Sequence, residues 1–429
     1  MRILWVKANK LLPVTSGGDI RSFHIARCLA SSHELVFVSY YDGAKDPDYE
    51  SELKRQFPSS VAICTGQRRR SAVGRAVDYL RHVSKETPYA VSRFACPAVR
   101  EFIKHSFDAG RVDVALCDFL DAAVNFPQEL TIPSVLFQHN VESEIWRRHA
   151  LTESNPLKRA MYKLEYRKML AYEKHEVKAF QHVIAVSPHD AELMHAVAAG
   201  SHITVVPTGV DLERFRPNHQ ASGLAPLVVF VGAMDWEPNI DAVTYFCREV
   251  WPKIRLRVPA AKFRIVGRNP DKRMRGLGSE SVEITGSVPS VIEHMQEAAV
   301  VVVPLRVGGG TRLKIYEAMA LGKAVVSTTV GAEGLDVHPG QDIALADEPN
   351  SFSDAVVRFL SDLQLRRRYE SCAADLAARY GWPSIAARVG EVLEQVRGRC
   401  ALDQSLRECG SPKLSCNPEF LSGEKVADH

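Results

Sequence analysis

The stretch VVVPLRVGGGTRLKIYEAMALGKAVV, residues 301–326, decides the fold. It opens on an uninterrupted apolar run, passes through a glycine-bearing polar loop, and continues with apolar residues at helical spacing. Gly322 and Lys323 read as the end of that helix, and AVVST begins a second strand. Apolar strands joined through a helix are the mark of a parallel sheet buried on both faces.

The same alternation runs outward in both directions. Upstream come RILWV (2–6), ELVFVSYY (34–41), VAIC (61–64), VDVALCDF (112–119), PSVLFQHN (133–140) and HVIAVS (182–187). ITVVPTGVDLERFRPNHQASGLAP (203–226) ends one strand and becomes a Pro/Gly/Ser-containing linker. The pattern then restarts with LVVFVGAM (227–234), FRIVGR (263–268), VEITG (282–286), VVVPL (301–305), AVVST (324–328) and DIALA (342–346). This predicts an α/β protein of two doubly wound halves with a seam near 211–225. The boundaries expected are 1–210 for the first domain and 211–397 for the second. A closing amphipathic helix is expected at IAARVGEVLEQVR (385–397), packing back on the first domain, with a flexible tail over 398–429. Ligands of open α/β sheets sit beyond the carboxyl ends of the strands, so the loops there are the places to search.

Composition narrows the function. Of 429 residues, 46% are hydrophobic and 24% charged, the balance of a soluble globular chain. A net charge of +3 gives no electrostatic case for nucleic acid. Positive charge gathers in the first half: residues 66–100 hold eight Lys/Arg against two Asp/Glu, and residues 156–178 hold seven against three. Solvated faces explain such segments; an anionic partner, such as a membrane surface, is the sharper reading. Nine cysteines with irregular spacing and no C-x-x-C suggest neither a disulfide framework nor a zinc site, which fits a cytoplasmic protein. The start, MRILWVKANK, reads as a strand rather than a signal peptide. AAVVVVPL (298–305) falls far short of the ~20 apolar residues of a membrane span.

The opening loop has the chemistry of an anion cradle. Glycines let backbone N–H groups approach a ligand, and a helix N-terminus favours negative charge. Thr311 is placed to cap the helix, Arg312 lies in its first turn, and Lys314 adds charge to the same end. No G-x-x-x-x-G-K-[ST] is present, so this is not a Walker loop. Glu317 lies about one and a half turns in, three residues from Lys314. On loop chemistry alone an ordinary turn before a buried helix stays open beside the phosphate site.

The segment from GGGTRLK to GAEGL resembles the donor-binding segment of family 4 glycosyltransferases, retaining enzymes of GT-B architecture. SGGDIRSFHIARCLA (16–30), QHNVESEIWRRHA (138–150), AVSPHD (185–190) and VVPTGVDLERF (205–215) resemble other family segments in the same order. The resemblance covers about residues 1–397 and points to a GGGTRLK-type sub-branch. It implies two Rossmann-like domains facing across a cleft, acceptor on the first and nucleotide-sugar donor on the second, with no metal and no cofactor. It implies donor contacts at Gly17, Gly18, Gly232, Arg268, Val288, Gly308, Gly309, Gly310, Thr311, Arg312, Lys314 and Glu317. His139, Arg312, Lys314 and Glu317 are the expected catalytic group, His139 near the reacting sugar and Glu317 on the ribose. Arg21, Asn140 and Glu142 are expected on the acceptor side. Asp235 and Trp236 are read as lining the nucleotide pocket.

Two departures mark this chain. Many members carry two glutamates eight positions apart, and here the first position is Gly309. Many also carry an Arg and a Lys after the VFVG strand, where this chain reads VGAMDWEPNIDAV. Arg312 and Lys314, with Arg268, are the expected substitutes. The function implied is transfer of a sugar from a nucleotide sugar to a glycan or lipid-linked acceptor. The cell envelope or an exopolysaccharide is the implied setting, with the protein peripheral at the inner face of the membrane. The alternatives are a GT-B-like epimerase or phosphorylase, or a non-catalytic binding subunit. A nicotinamide dehydrogenase is disfavoured because SGGDIRSF lacks the full G-x-G-x-x-G.

Overall fold

The computed structural model describes residues 1–66, 72–218, 225–270, 272–307 and 312–409. The first unit is a seven-stranded parallel sheet of β1 (Arg2–Ala8), β2 (Glu34–Tyr41), β3 (Val61–Cys64), β4 (Val114–Asp118), β5 (Ser134–Phe137), β6 (His182–Ala185) and β7 (Ile203–Val205), in the order β3-β2-β1-β4-β5-β6-β7. The second is a six-stranded parallel sheet of β8 (Leu227–Val231), β9 (Lys262–Val266), β10 (Val282–Gly286), β11 (Val300–Val303), β12 (Ala324–Ser327) and β13 (Ala344–Leu345), in the order β10-β9-β8-β11-β12-β13. Each expected strand forms, within a few residues of its expected bounds.

The first sheet is sandwiched, which is why its strands read as unbroken apolar runs. Along β1 the side chains alternate between two layers. Ile3 and Trp5 join one apolar cluster, while Leu4 and Val6 join the other. The first cluster is continuous with the core of the second unit, so the two halves share apolar packing. At the far edge of the second sheet β13 is only two residues long, shorter than DIALA suggested.

The connection between the units matches the expected seam. β7 ends at Val205 and β8 begins at Leu227, while residues 219–224 lie outside the described residues. Asp211 anchors the start of this connection by accepting from the backbone N–H groups of Glu213 and Arg214.

The closing helix differs from expectation. It spans Trp382–Cys409, running well past residue 397. The reason is in its sequence: residues 399–409 contain neither Pro nor Gly and are dominated by good helix formers. The rest of the expected tail, 410–429, lies outside the described residues. Ile385, Ala386, Val389, Val392, Leu393 and Val396 form a buried stripe at helical spacing. It packs against the Gly17–Ala30 helix, where a Cβ on Gly390 would lie 3.5 Å from Leu29.

Candidate active site

The carboxyl ends of the central strands of both sheets open onto one cavity of about 720 Å³. Gly17, Gly18, Arg21, His139 and Asn140 line it from the first unit. Gly232, Arg268, Val288, Arg312, Lys314 and Glu317 line it from the second. These residues are far apart in sequence, and the two parallel sheets bring them together. Gly308, Gly309, Gly310 and Thr311 lie outside the described residues. Glu142 does not line this cavity; it faces a neighbouring one in the first unit.

On the first wall, His139 follows β5 and is 3% exposed. Arg21, expected on the acceptor side, is buried, and its Nη1 donates to His139 Nδ1 at 2.9 Å. An arginine only donates, so Nδ1 is the acceptor and Nε2 carries the proton. Nε2 donates to Asp118 Oδ1 at 2.7 Å. Both ring nitrogens are therefore engaged. Burial pushes His139 down to about 4, against the opposing pull of Asp118, so the ring is neutral near pH 7.

Asp118, at the end of β4, is the hub that the sequence does not announce. It also accepts from Trp5 Nε1 at 2.9 Å and lies 3.8 Å from Lys7 Nζ. Burial pushes its carboxyl up, but Lys7, His139 and Ser22 overcome this and hold it at about 2. The signal in the sequence was a charged residue at the end of each of two buried strands, Lys7 on β1 and Asp118 on β4. Phe119, with φ of 70°, lays its ring on His139 with centroids 3.8 Å apart. Gly18 is required by this packing: a Cβ there would meet Phe119 Cζ at 2.4 Å.

The loop carrying His139 and Asn140 is fixed from below by Glu173, which is fully buried. Glu173 accepts from Gln138 Nε2, from the backbone N–H groups of Glu142 and Ser143, and from the Ser143 hydroxyl. This satisfies orphan donors at the start of the Glu142–Thr152 helix. Burial raises Glu173 even against those donors.

On the second wall, the Leu313–Ala320 helix follows the loop after β11. Arg312 is its N-cap residue, one position before the expected first turn. Its guanidinium lies 5.6 Å from the Trp236 ring centre. Lys314 Nζ donates to Asn239 Oδ1 at 3.1 Å and sits 4.4 Å above the Phe230 ring. Gly232 makes room for it, since a Cβ there would lie 2.8 Å from Lys314 Nζ. Arg268 is half-exposed, 3.9 Å from Asp235. Asp235 in turn accepts from Asn269 at 2.9 Å. Glu317 is the only carboxylate among the described residues lining the cavity, and its side-chain oxygens accept no hydrogen bond from a described residue.

Burial strips these groups of water and moves each toward neutrality. Arg312 falls to about 10 and Lys314 to about 7, burial being the main cause in both. Glu317 rises to about 7 by burial, opposed by Lys314 and Arg214. An anion bound at this helix N-terminus favours the protonated form of both Lys314 and Glu317. Binding a nucleoside diphosphate at pH 7.5 is therefore expected to take up protons, up to about 1.5 from the two groups together. Affinity then falls as pH rises above about 7. Titration calorimetry in two buffers of different ionisation enthalpy reads this directly, and Lys314→Met should reduce the uptake. Proton release on binding would contradict the assignment.

Among the described residues no group of His, Cys, Asp and Glu is arranged to hold a metal ion, and no helix is long and apolar enough to cross a membrane.

Two Rossmann-like units whose strand ends face across a cleft, with cations at a helix N-terminus on one wall, define the GT-B class of fold. The sequence pattern described as Glycosyltransferase Family 4 matches residues 15–214, and that described as Glycosyl transferases group 1 matches residues 225–362. The chain belongs to the family 4 glycosyltransferases. Phosphatidyl-myo-inositol mannosyltransferase of Mycobacterium tuberculosis is 26% identical over 215 residues, 47% of this chain and 56% of the relative. The chain thus spans about half the length of the curated relatives it matches. Sucrose-phosphate synthase from Thermosynechococcus elongatus superposes with a TM-score of 0.68 at 17% identity, over 93% of this chain and 100% of that one. Anabaena HepE in complex with UDP gives a TM-score of 0.63 at 14% identity, over 92% and 100%. At such identities what the solved structures establish is the fold.

Proposed function

We propose that the protein transfers a sugar, with retention of configuration, from a nucleoside-diphosphate sugar to a hydroxyl of a glycan or lipid-linked acceptor. The observation that carries this reading is the pairing of Arg312 and Lys314 at a helix N-terminus with the His139 wall of the other unit across one cavity. The bond from the sugar C1 to the diphosphate breaks, and negative charge builds on the departing phosphate. Arg312, Lys314 and the helix N-terminus stabilise that charge where it develops. They take the role a metal fills elsewhere, so transfer should persist in chelator. The acceptor oxygen bonds to C1 on the face the diphosphate leaves, and its proton passes to the departing phosphate oxygen. A double displacement would need a carboxylate at C1; Glu317, on the helix beside the cations, is assigned to the ribose. With both ring nitrogens held by Arg21 and Asp118, His139 positions this wall rather than carrying a proton.

Similarity to HepE solved with UDP and with UDP-glucose supports a nucleotide-sugar donor. Calorimetric titration with UDP, GDP and ADP tests the reading. One base is expected to bind, with Kd on the order of 1 μM to 1 mM. A protein that binds none is a scaffold, and one that converts a donor sugar with no acceptor present is an epimerase. NMR of the product's anomeric centre decides retention.

The setting proposed is cell-envelope or exopolysaccharide assembly, with the protein cytoplasmic and peripheral at the inner face of the membrane. Support comes from the basic first unit, where Leu80, Leu151 and Leu157 are 71%, 66% and 82% exposed. Lysines and arginines in the same segments complete the amphipathic pattern. Sedimentation with phosphatidylglycerol-containing vesicles should bring the protein down at low salt and release it at high salt. Equal binding to neutral phosphatidylcholine vesicles would contradict the electrostatic part.

A further inference from the structure

Next to the donor cavity the first unit holds a second one, of about 320 Å³, that the donor assignment does not use. It lies under the Glu142–Thr152 and Pro156–Ala179 helices, beyond the carboxyl ends of β4 and β5. Its lining combines two chemistries. Trp146, His149 and Tyr162 form an aromatic cluster, with Trp146 to Tyr162 at 5.9 Å and His149 to Tyr162 at 5.5 Å between ring centres. Asp121 and Glu142 bring two carboxyl groups to the same space.

We infer that this aromatic and acidic cavity is the acceptor subsite, and that it takes an uncharged, hydroxyl-rich sugar ring. The inference rests on the glycosyl-transfer reading above. Aromatic faces are electron-rich and pack against the polarised C–H face of a sugar ring. Ionised carboxylates only accept, and sugar hydroxyls supply donors. No described residue hydrogen-bonds Asp121, so its acceptor capacity is open to a ligand. Asp121, mostly ionised near pH 7, repels a phosphate or carboxylate, so an acceptor's charged parts lie elsewhere. Arg93 is the cation in the lining, and it stacks over Phe94 at 4.6 Å.

The subsite adjoins the donor cavity through the loops after β4 and β5. Asn140 lines the donor cavity, and Glu142, two residues on, faces the second one. Phe119 and Asp121 likewise face the two spaces from positions two residues apart. A ring held by Trp146 and Asp121 therefore sits one side chain away from the sugar to be transferred. Burial raises both acids, Asp121 to about 6 and Glu142 to about 8. A protonated Glu142 adds a donor to the set, which suits hydroxyl groups that also accept.

Saturation-transfer NMR on the full chain tests this with methyl glycosides of glucose, galactose and mannose at millimolar concentration. Glucose 1-phosphate serves as the charged counterpart. At least one methyl glycoside is expected to bind and glucose 1-phosphate to give no transfer in the presence of saturating nucleoside diphosphate. Trp146→Ala and Asp121→Asn should each weaken glycoside binding at least tenfold while leaving the nucleoside-diphosphate Kd unchanged, which also reports an intact fold. Absence of glycoside binding, preference for the phosphate, or binding unchanged in both variants overturns the inference. Failure of the wild type to bind any nucleoside diphosphate overturns the transfer reading instead, so the two failures are distinguishable.

Discussion

Arg312→Ala and Lys314→Ala are each expected to lower kcat/KM for glycosyl transfer by about 10²- to 10³-fold, the scale of losing one preorganised donor to a developing oxyanion. The two side chains reach the same place by different routes. Arg312 stands at the N-cap position, its guanidinium over Trp236. Lys314 is held by Asn239 and Phe230 beside Gly232. Because they act on one charge, the double variant should lose less than the product of the single losses. Lys314→Arg is expected to fare poorly as well, because the space beside Gly232 fits an ammonium and not a planar guanidinium. Steady-state kinetics with the donor identified by calorimetry gives the numbers. Losses confined to donor KM, with kcat unchanged, would place these cations on the ground state rather than on the departing phosphate.

Gly267→Ala is the second large effect. A Cβ at Gly267 would lie 1.7 Å from the carbonyl oxygen of Gly232. That contact is with backbone, so no rotamer relieves it, and the ends of β8 and β9 must part. Gly232 N donates to Val266 O at 3.0 Å across this junction, and Gly232 borders the Lys314 and Asn239 contacts. A stability loss of about 3 kcal/mol or more is expected from overpacking at a rigid site. Weaker nucleoside-diphosphate binding should accompany it. Gly278→Ala is the control, because its Cβ would meet nothing closer than Val282 O at 3.9 Å. Urea unfolding of the two variants tests the contrast, and equal midpoints would sink the packing argument.

What the sequence disclosed follows from what is local. Unbroken apolar runs give the strands, and a glycine loop before a helix gives the anion end of the cavity, because both depend on neighbours within a few residues. The Asp118 hub depends on sheet order instead. β1, β4 and β5 lie side by side, so Lys7, Trp5, Asp118 and His139 meet although residues 5 and 139 are remote in the chain. Arg21 was legible as an acceptor-side candidate, but its hold on His139 is a contact between residues remote in the chain. Gly18 was legible as a turn glycine, and the reason it must be glycine is the ring of Phe119, a contact between distant loops. Glu142 was expected on the acceptor side, and it faces a separate space rather than the donor cavity. The closing helix was cut short because the segment after residue 397 reads as a flexible tail, while it stays helical to Cys409.

The return of that helix to the first unit means the polypeptide passes between the halves twice, at neighbouring places. Val210 pairs with Gly381 across the two passages, and Val210 N donates to Tyr380 O at 2.8 Å. Trp382 stacks on His24 and presses on Gly209, whose Cβ would come within 2.5 Å of the indole. Two passages stitched side by side act like adjacent pins of a door. Such a hinge would let the halves swing while resisting sliding or unscrewing of one on the other. Donor and acceptor walls would then approach along a single arc, bringing Arg312 and His139 back to the same facing positions at each turnover.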